Sequence, residues 1–207
     1  MDVYDYEVLG DDLDMIMSSA TGSDVVLGGH SMGSHTVARR AILEPQGVKA
    51  LVLIGPVFTG EVDDDERWDR RADALENGGP EAFAEVVAEN SPNEEIRERT
   101  FRLARDRARL HKFPQAVAQA LRQIPRSRPF DHLDQLRDLR MPVLVVASHD
   151  DFDPGHPHET AVRWAQLIPG AELVSEEPGD PPLAWQGGKL SREIDAFLAK
   201  HNLNPDR

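Results

Sequence analysis

The chain has 207 residues, of which 40% are apolar, and this fits one α/β domain with a modest insertion and a buried core. Its net charge of −14 argues against a nucleic-acid partner, because phosphates would be repelled. The chain has no cysteine, which excludes disulfides and thiolate catalysis. It has no apolar run long enough to span a membrane and no basic segment leading into an apolar one at the N-terminus, so the sequence predicts no membrane anchor and a cytoplasmic location.

The first predicted elements alternate between helix and strand. Apolar residues at helical spacing predict an amphipathic helix over residues 7–19. A short apolar run at 24–28 predicts a buried parallel strand, and helical spacing returns over residues 37–42. Residues 50–54 have the same apolar character and are predicted as the next strand.

Residues 61–128 differ in composition from the rest of the chain. They are strongly charged, lack strand signals and contain four stretches with helical spacing. We therefore predict a helical lid insertion at 61–128 between two parts of one core, residues 1–60 and 129–207. The arginines from Arg97 to Arg109 suit either an anionic substrate or a solvated helix face, and acidic neighbours four residues away favour the second interpretation.

The sheet pattern resumes after the insertion. Residues 143–147 and 171–174 are predicted as strands, and helical spacing marks residues 161–168 and 190–198. This alternation predicts an α/β fold in which a mostly parallel sheet is flanked by helices.

Ser31 lies between a predicted strand and a predicted helix, in the pentapeptide Gly29-His30-Ser31-Met32-Gly33. So tight a turn needs flanking positions without bulk, which Gly29 and Gly33 supply. Ser31 would stand above the sheet as a nucleophile, with the backbone N–H of Met32 facing an oxyanion. The alternative is a glycine-rich turn that happens to contain a serine. His30 is interpreted as structural, because its side chain should point away from the serine.

The stretch from Val25 to Gly33 resembles the nucleophile elbow of the α/β-hydrolase superfamily, in the version common among its esterase, lactonase and haloperoxidase-like branches. Similar stretches return at 50–54, 141–146, 153–154 and 168–171, with 61–128 in the place of the lid. The resemblance implies hydrolysis of a small carboxylic ester or lactone through an acyl-enzyme, without a metal or organic cofactor. The alternatives are a non-catalytic binding protein and a truncated, inactive fragment of a hydrolase.

The resemblance places the acid of the catalytic triad in the loop after residues 143–147, where two aspartates compete. Asp153 matches the family's spacing to the next Pro-Gly pair without a gap, whereas Asp151 fits better when counted from the strand. Asp153 is the favoured candidate, and the alternative for both is a solvated acidic loop. An aspartate in this role orients an imidazole and stabilises its cation.

The base is the point at which the sequence departs from the family. The family's histidine usually follows the last strand, but here the matching position is about Asp180, and there is no histidine between His158 and His201. A carboxylate is a weak base for a hydroxyl unless burial raises its pKa. His156 and His158 lie in the same loop as the candidate acid, at the same end of the sheet as the serine. Either could reach the serine, and His149 is a weaker candidate, but surface histidines beside prolines are the favoured interpretation. If one of them serves as the base, His156 is the candidate put forward.

The sequence before the elbow is a second departure. The resemblance implies several earlier strands and a loop with a second oxyanion donor, but only one helix precedes the elbow here. We therefore expect an incomplete α/β-hydrolase fold, with residues 24–28 as an exposed apolar edge strand. Two explanations stay open, namely a truncated chain and a homo-oligomer formed through this edge. Otherwise the expected partner is a small-molecule substrate.

Overall fold

The structure is a computed structural model that describes residues 3–19, 24–149, 153 and 155–203. The chain divides into two compact units. The helical unit comprises Met1–Val8 and Val62–Arg128, and the sheet unit comprises Leu9–Glu61 and Pro129–Arg207. The role of a lid for residues 61–128 stays a prediction.

The sheet unit is built on four parallel strands whose order in the sheet is their order in the chain. They are β1 (Val25–His30), β2 (Val48–Ile54), β3 (Val143–Val146) and β4 (Glu172–Val174). The predicted parallel sheet is therefore confirmed. Since all four strands run the same way, the loops that follow them meet at one end of the sheet, beyond the carboxyl ends of the strands, where α/β proteins place their ligand sites.

Seven helices accompany these strands in the described part of the chain. Those with most or all of their residues in the sheet unit are α1 (Tyr6–Ser19), α2 (Met32–Leu43), α6 (His158–Leu167) and α7 (Gly187–Lys200). Those of the helical unit are α3 (Arg67–Ala88), α4 (Glu94–Ala108) and α5 (Pro114–Gln123). The first two helices predicted for the insertion are both present within α3, where a break separates them at Gly79, whose φ of 71° and ψ of −164° are not helical. No described helix has the length and apolarity needed to cross a membrane.

Alternate residues of the central strands β2 and β3 point to opposite faces of the sheet, and both faces are buried. One face packs against α2, α6 and part of α1, and its strand residues are Leu51, Leu53, Val143 and Val145. The other face packs against α7 and the segment around Leu183, and its strand residues are Ala50, Val52, Leu144 and Val146. This double burial explains the continuous apolar runs from which the strands were predicted.

In the part of the chain that the structure describes, β1 pairs on one side only, with β2. The N–H groups of Val25 and Ser31 donate to the carbonyls of Gly47 and Ile54. Since neighbours on a parallel strand alternate in direction, the N–H and C=O groups of the even-numbered residues of β1 point to the open edge. The expected edge strand is therefore present.

Candidate active site

Ser31 occupies the turn between β1 and α2 with φ 53° and ψ −120°. Residues with a side chain rarely adopt such a conformation, and holding one there costs about 1–3 kcal/mol. The surrounding chain fixes it on both sides. Its N–H donates to the carbonyl of Ile54 at 2.8 Å, and its carbonyl accepts from the N–H of Ser34 at 2.9 Å and from the Ser34 hydroxyl at 2.5 Å.

Gly29 makes this tight turn possible. A Cβ added there would lie 2.1 Å from the carbonyl oxygen of Gly33, so main chain meets main chain with no room for a side chain. For Gly33 the structure gives a different account from the sequence, because a Cβ at that position would meet no atom within 4 Å. The steric requirement therefore falls on Gly29, and Gly33 takes part through its carbonyl group.

Met32 is the first residue of α2. The N–H groups of the first helical turn have no acceptor within their own helix, and the positive end of the helix dipole favours negative charge beside them. Met32 itself is 41% exposed, so this turn is open to solvent. Its backbone N–H is thus of the kind that binds an oxyanion.

Asp153 and His156 are in direct contact. Nδ1 of His156 lies 2.9 Å from Oδ2 of Asp153, and the backbone N–H of His156 donates to the Asp153 carbonyl at 3.0 Å. The side chain of His156 is 20% exposed, and that of Asp153 is 14% exposed. A carboxylate at Nδ1 favours the tautomer that carries its proton there, which leaves Nε2 free to accept a proton. The competing aspartate, Asp151, lies outside the described residues.

Two observations place the His156 ring beside the elbow. Its centroid is 4.8 Å from that of His30, the residue before Ser31. A Cβ added at Gly55 would lie 3.2 Å from Cδ2 of His156, and Gly55 directly follows the residue whose carbonyl binds the Ser31 N–H. The structure therefore gathers the predicted serine, base and acid at one end of the sheet.

A family model for the alpha/beta hydrolase fold matches residues 2–187. The chain belongs to this family. The match includes the elbow and the segment that carries Asp153 and His156. The resemblance inferred from the sequence is thereby confirmed.

Relatives of known name are hydrolases and a haloperoxidase. RutD of Rhizobium rhizogenes, whose name gives carbamate hydrolysis as a provisional activity, is 30% identical over 73% of this chain and 57% of its own length. The non-heme chloroperoxidase CPO-A1 of Kitasatospora aureofaciens is 27% identical over 96% of this chain and 76% of its own length. The chain thus spans less than two thirds of that RutD protein.

Solved structures of low sequence identity share the fold. The enol-lactonase of Burkholderia xenovorans superposes with a TM-score of 0.74, at 20% identity over 95% of this chain and 74% of its own. A thermophilic esterase from Thermogutta terrifontis gives a TM-score of 0.73, at 23% identity over 97% of this chain and 74% of its own. At such identities these likenesses establish the fold alone.

His35 is a buried histidine that the sequence did not single out. Its Nε2 accepts the N–H groups of Val57 at 3.0 Å and Phe58 at 3.1 Å, so this nitrogen carries no proton. Burial, and secondarily the charge of His156, lowers the pKa of His35 to about 3. Its ring packs 5.5 Å from that of Trp164, whose Nε1–H donates to the Phe58 carbonyl at 2.8 Å. His35 therefore fixes the segment after β2, beside which His156 lies. Its spacing of four from Ser31, on the buried side of the helix, is the signal that could have found it.

The segment after β4, where the family usually keeps its histidine, holds a buried carboxylate in this chain. Glu176 accepts the backbone N–H of His149 at 2.5 Å and that of Leu183 at 2.7 Å. Asp180, the position that matches the family's histidine, is exposed and lies 3.6 Å from the ammonium group of Lys189. Asp180 therefore lacks the burial that a carboxylate base would need.

Three further histidines of the sheet unit have other contacts. The rings of His149 and His158 stack with centroids 4.6 Å apart and planes 12° apart. His201 contacts Glu172 at 2.7 Å, at the start of β4 and so at the end of the sheet away from the elbow. Hydrogen bonds from Lys200, and then from His201, lower the pKa of Glu172. Among the described residues, no three histidine or carboxylate side chains are arranged to hold a metal ion.

Proposed function

We propose that this chain is a serine hydrolase that cleaves a small carboxylic ester or lactone through an acyl-enzyme on Ser31. The observation that carries the proposal is the contact between Asp153 and His156 beside the strained turn at Ser31. The names of similar proteins support the reaction class, because carbamate, lactone and ester hydrolysis all begin with attack on an acyl carbon.

In the proposed reaction, Nε2 of His156 takes the hydroxyl proton of Ser31 as Oγ attacks the substrate carbonyl. Asp153 holds the imidazole by Nδ1 and stabilises the imidazolium that forms. The N–H of Met32, at the start of α2, stabilises the oxyanion. When the tetrahedral intermediate collapses, the leaving alcohol takes the proton from His156. A water molecule then gives a proton to His156 as it attacks the acyl-enzyme. Collapse of this second tetrahedral intermediate releases the acid and returns the proton from His156 to Oγ of Ser31.

This arrangement takes acid and base from one loop. His156 follows Asp153 by three residues, within a turn closed by the backbone hydrogen bond between them. In the family pattern the histidine comes instead from the segment after the last strand, which here holds Glu176 and Asp180. The acid that holds the imidazole of His156 would thus come from the same loop as the base.

Labelling with a fluorophosphonate tests the proposal without knowledge of the substrate, because the probe reacts with activated serines. We expect wild type to be labelled and Ser31→Ala to be unlabelled. His156→Asn should slow labelling by about 10²- to 10⁴-fold, the usual contribution of a general base. His201→Asn is the matched control, since His201 also contacts a carboxylate but at the other end of the sheet, and it should react at the wild-type rate.

If wild type is not labelled although circular dichroism shows that it is folded, the proposal is contradicted and a non-catalytic binding protein is favoured. A His156→Asn variant that reacts as fast as wild type would exclude His156 as the base, and His158→Asn would then be examined.

A further inference from the structure

The segment that carries the proposed acid and base is held together at its two ends. It begins after His149, which follows β3, and it ends at His158, the first residue of α6. The rings of these two histidines are stacked, with centroids 4.6 Å apart. Both ends of the segment are therefore joined by one aromatic contact.

A buried carboxylate fixes the first of these ends to another part of the sheet unit. Glu176 is 2% exposed, and its two oxygens accept the backbone N–H groups of His149 and Leu183. Hydrogen bonds to a carboxylate are about twice as strong as those between neutral groups, and burying such a group without partners is costly. Glu176 thus connects the chain after β3 to the chain after β4.

We propose that Glu176 is a positioning residue for the base, acting through the stack of His149 and His158. This inference rests on the proposed roles of Ser31 and His156. Glu176 fixes the backbone of His149, and the ring of His149 supports His158. With both ends fixed, the turn between Asp153 and His156 has a defined place from which to present its imidazole to the elbow.

The energetic reason is that proton transfer is sensitive to small displacements. A misplacement of about 1 Å can cost about 100-fold in rate. The His156 ring lies against Gly55, so a shift of the segment would change the distance between the imidazole and Ser31. The carboxylate of Glu176 would not touch the substrate and would act only through His156.

The first test is Glu176→Gln, which preserves shape but replaces one acceptor oxygen with a donor NH₂ group that must face a backbone N–H. We expect the fluorophosphonate labelling rate to fall by about 10- to 100-fold. A matched pair at the partly exposed His158 covers the case in which Glu176→Gln fails to fold. His158→Ala removes the stack and should slow labelling, whereas His158→Phe keeps an aromatic ring and should retain the wild-type rate.

The second readout is nitrogen-15 NMR of the histidine rings, which does not need a reactive serine. The hydrogen-bonded Nδ1–H of His156 should be present in wild type and His158→Phe, and lost or broadened in Glu176→Gln and His158→Ala. If wild type is unlabelled but the ring signal still depends on Glu176, the proposed function fails and the positioning role stands. If Glu176→Gln, or His158→Ala where Glu176→Gln does not fold, keeps both the wild-type labelling rate and the wild-type His156 signal, the inference is overturned.

Discussion

Ser31 keeps its unusual backbone conformation because the hydrogen bonds around it leave little alternative. Its N–H is bound to β2, and its carbonyl is bound twice by Ser34 in the first turn of α2. The hydroxyl-bearing carbon is thus fixed relative to both the sheet and the helix before a substrate arrives. Such fixed geometry removes part of the entropy cost of reaching the transition state.

His35 gives a prediction about stability at acid pH. Its pKa is about 3 in the folded protein against an ordinary 6.5, so between these values the unfolded chain binds a proton that the folded protein does not. The free energy of unfolding should therefore fall as the pH drops below about 6.5 and be unaffected by this group above it. Between pH 8 and pH 5 the loss should be about 2 kcal/mol, measured by urea unfolding.

Replacement of this histidine isolates its contribution from that of the many carboxylates. His35→Gln should flatten the pH dependence by about the same 2 kcal/mol, because glutamine binds no proton. His111→Gln is the control, since His111 is exposed, and it should leave the dependence unchanged. An unchanged slope in His35→Gln would show that His35 is not held neutral by the fold.

At the scale of elements, the turn from β1 to α2 makes unequal demands on its two glycines. Gly29→Ala places a Cβ against the main chain of Gly33, which cannot move without displacing α2. We expect it to lower the free energy of unfolding by about 3 kcal/mol and to abolish labelling of Ser31. Gly33→Ala meets open space inside a helix, so stability should stay equal or rise by about 1 kcal/mol. Thermal unfolding and fluorophosphonate labelling of both variants measure these effects.

Equal losses in the two variants would mean that the close approach at Gly29 is not what limits the turn. The comparison is informative because the sequence motif treats the two positions alike, while the main-chain contact distinguishes them.

The elements that the sequence predicts well are those with a local cause. The runs at 50–54 and 143–147 are apolar because both faces of the strand are buried, and the elbow is visible because Ser31 sits between such a run and a helix. The break at Gly79 separates two helices that periodicity did predict, whereas its exact position and the extension of β1 to His30 are finer than periodicity can show.

The site is less predictable, because side chains converge through the tertiary path of loops. Sequence spacing could not choose between His156 and His158, since both lie in one loop, and only the fold turns one toward Asp153 and the other toward His149. The segment after the last strand showed a missing histidine but gave no sign that Glu176 is buried and binds two backbone N–H groups.

At the scale of the whole molecule, the open edge of β1 and the net charge act against each other. The strand carries no carboxylate or ammonium side chain, and Val26 is 36% exposed on a strand that pairs on one side only within the described sheet. Such an edge favours pairing with another chain. A charge of −14 on each copy opposes association, and salt screens that repulsion.

We therefore expect two copies to pair through β1 about a two-fold axis, and more strongly at high salt than at low salt. Val26→Lys puts a charge at the edge and should shift the protein toward monomer in sedimentation velocity. Leu173→Lys is the matched control, because Leu173 lies on β4 at the opposite edge of the sheet and is 41% exposed. Dissociation by Leu173→Lys alone would assign the interface to β4. A wild type that stays monomeric at every salt concentration would show that the β1 edge does not join copies of this chain.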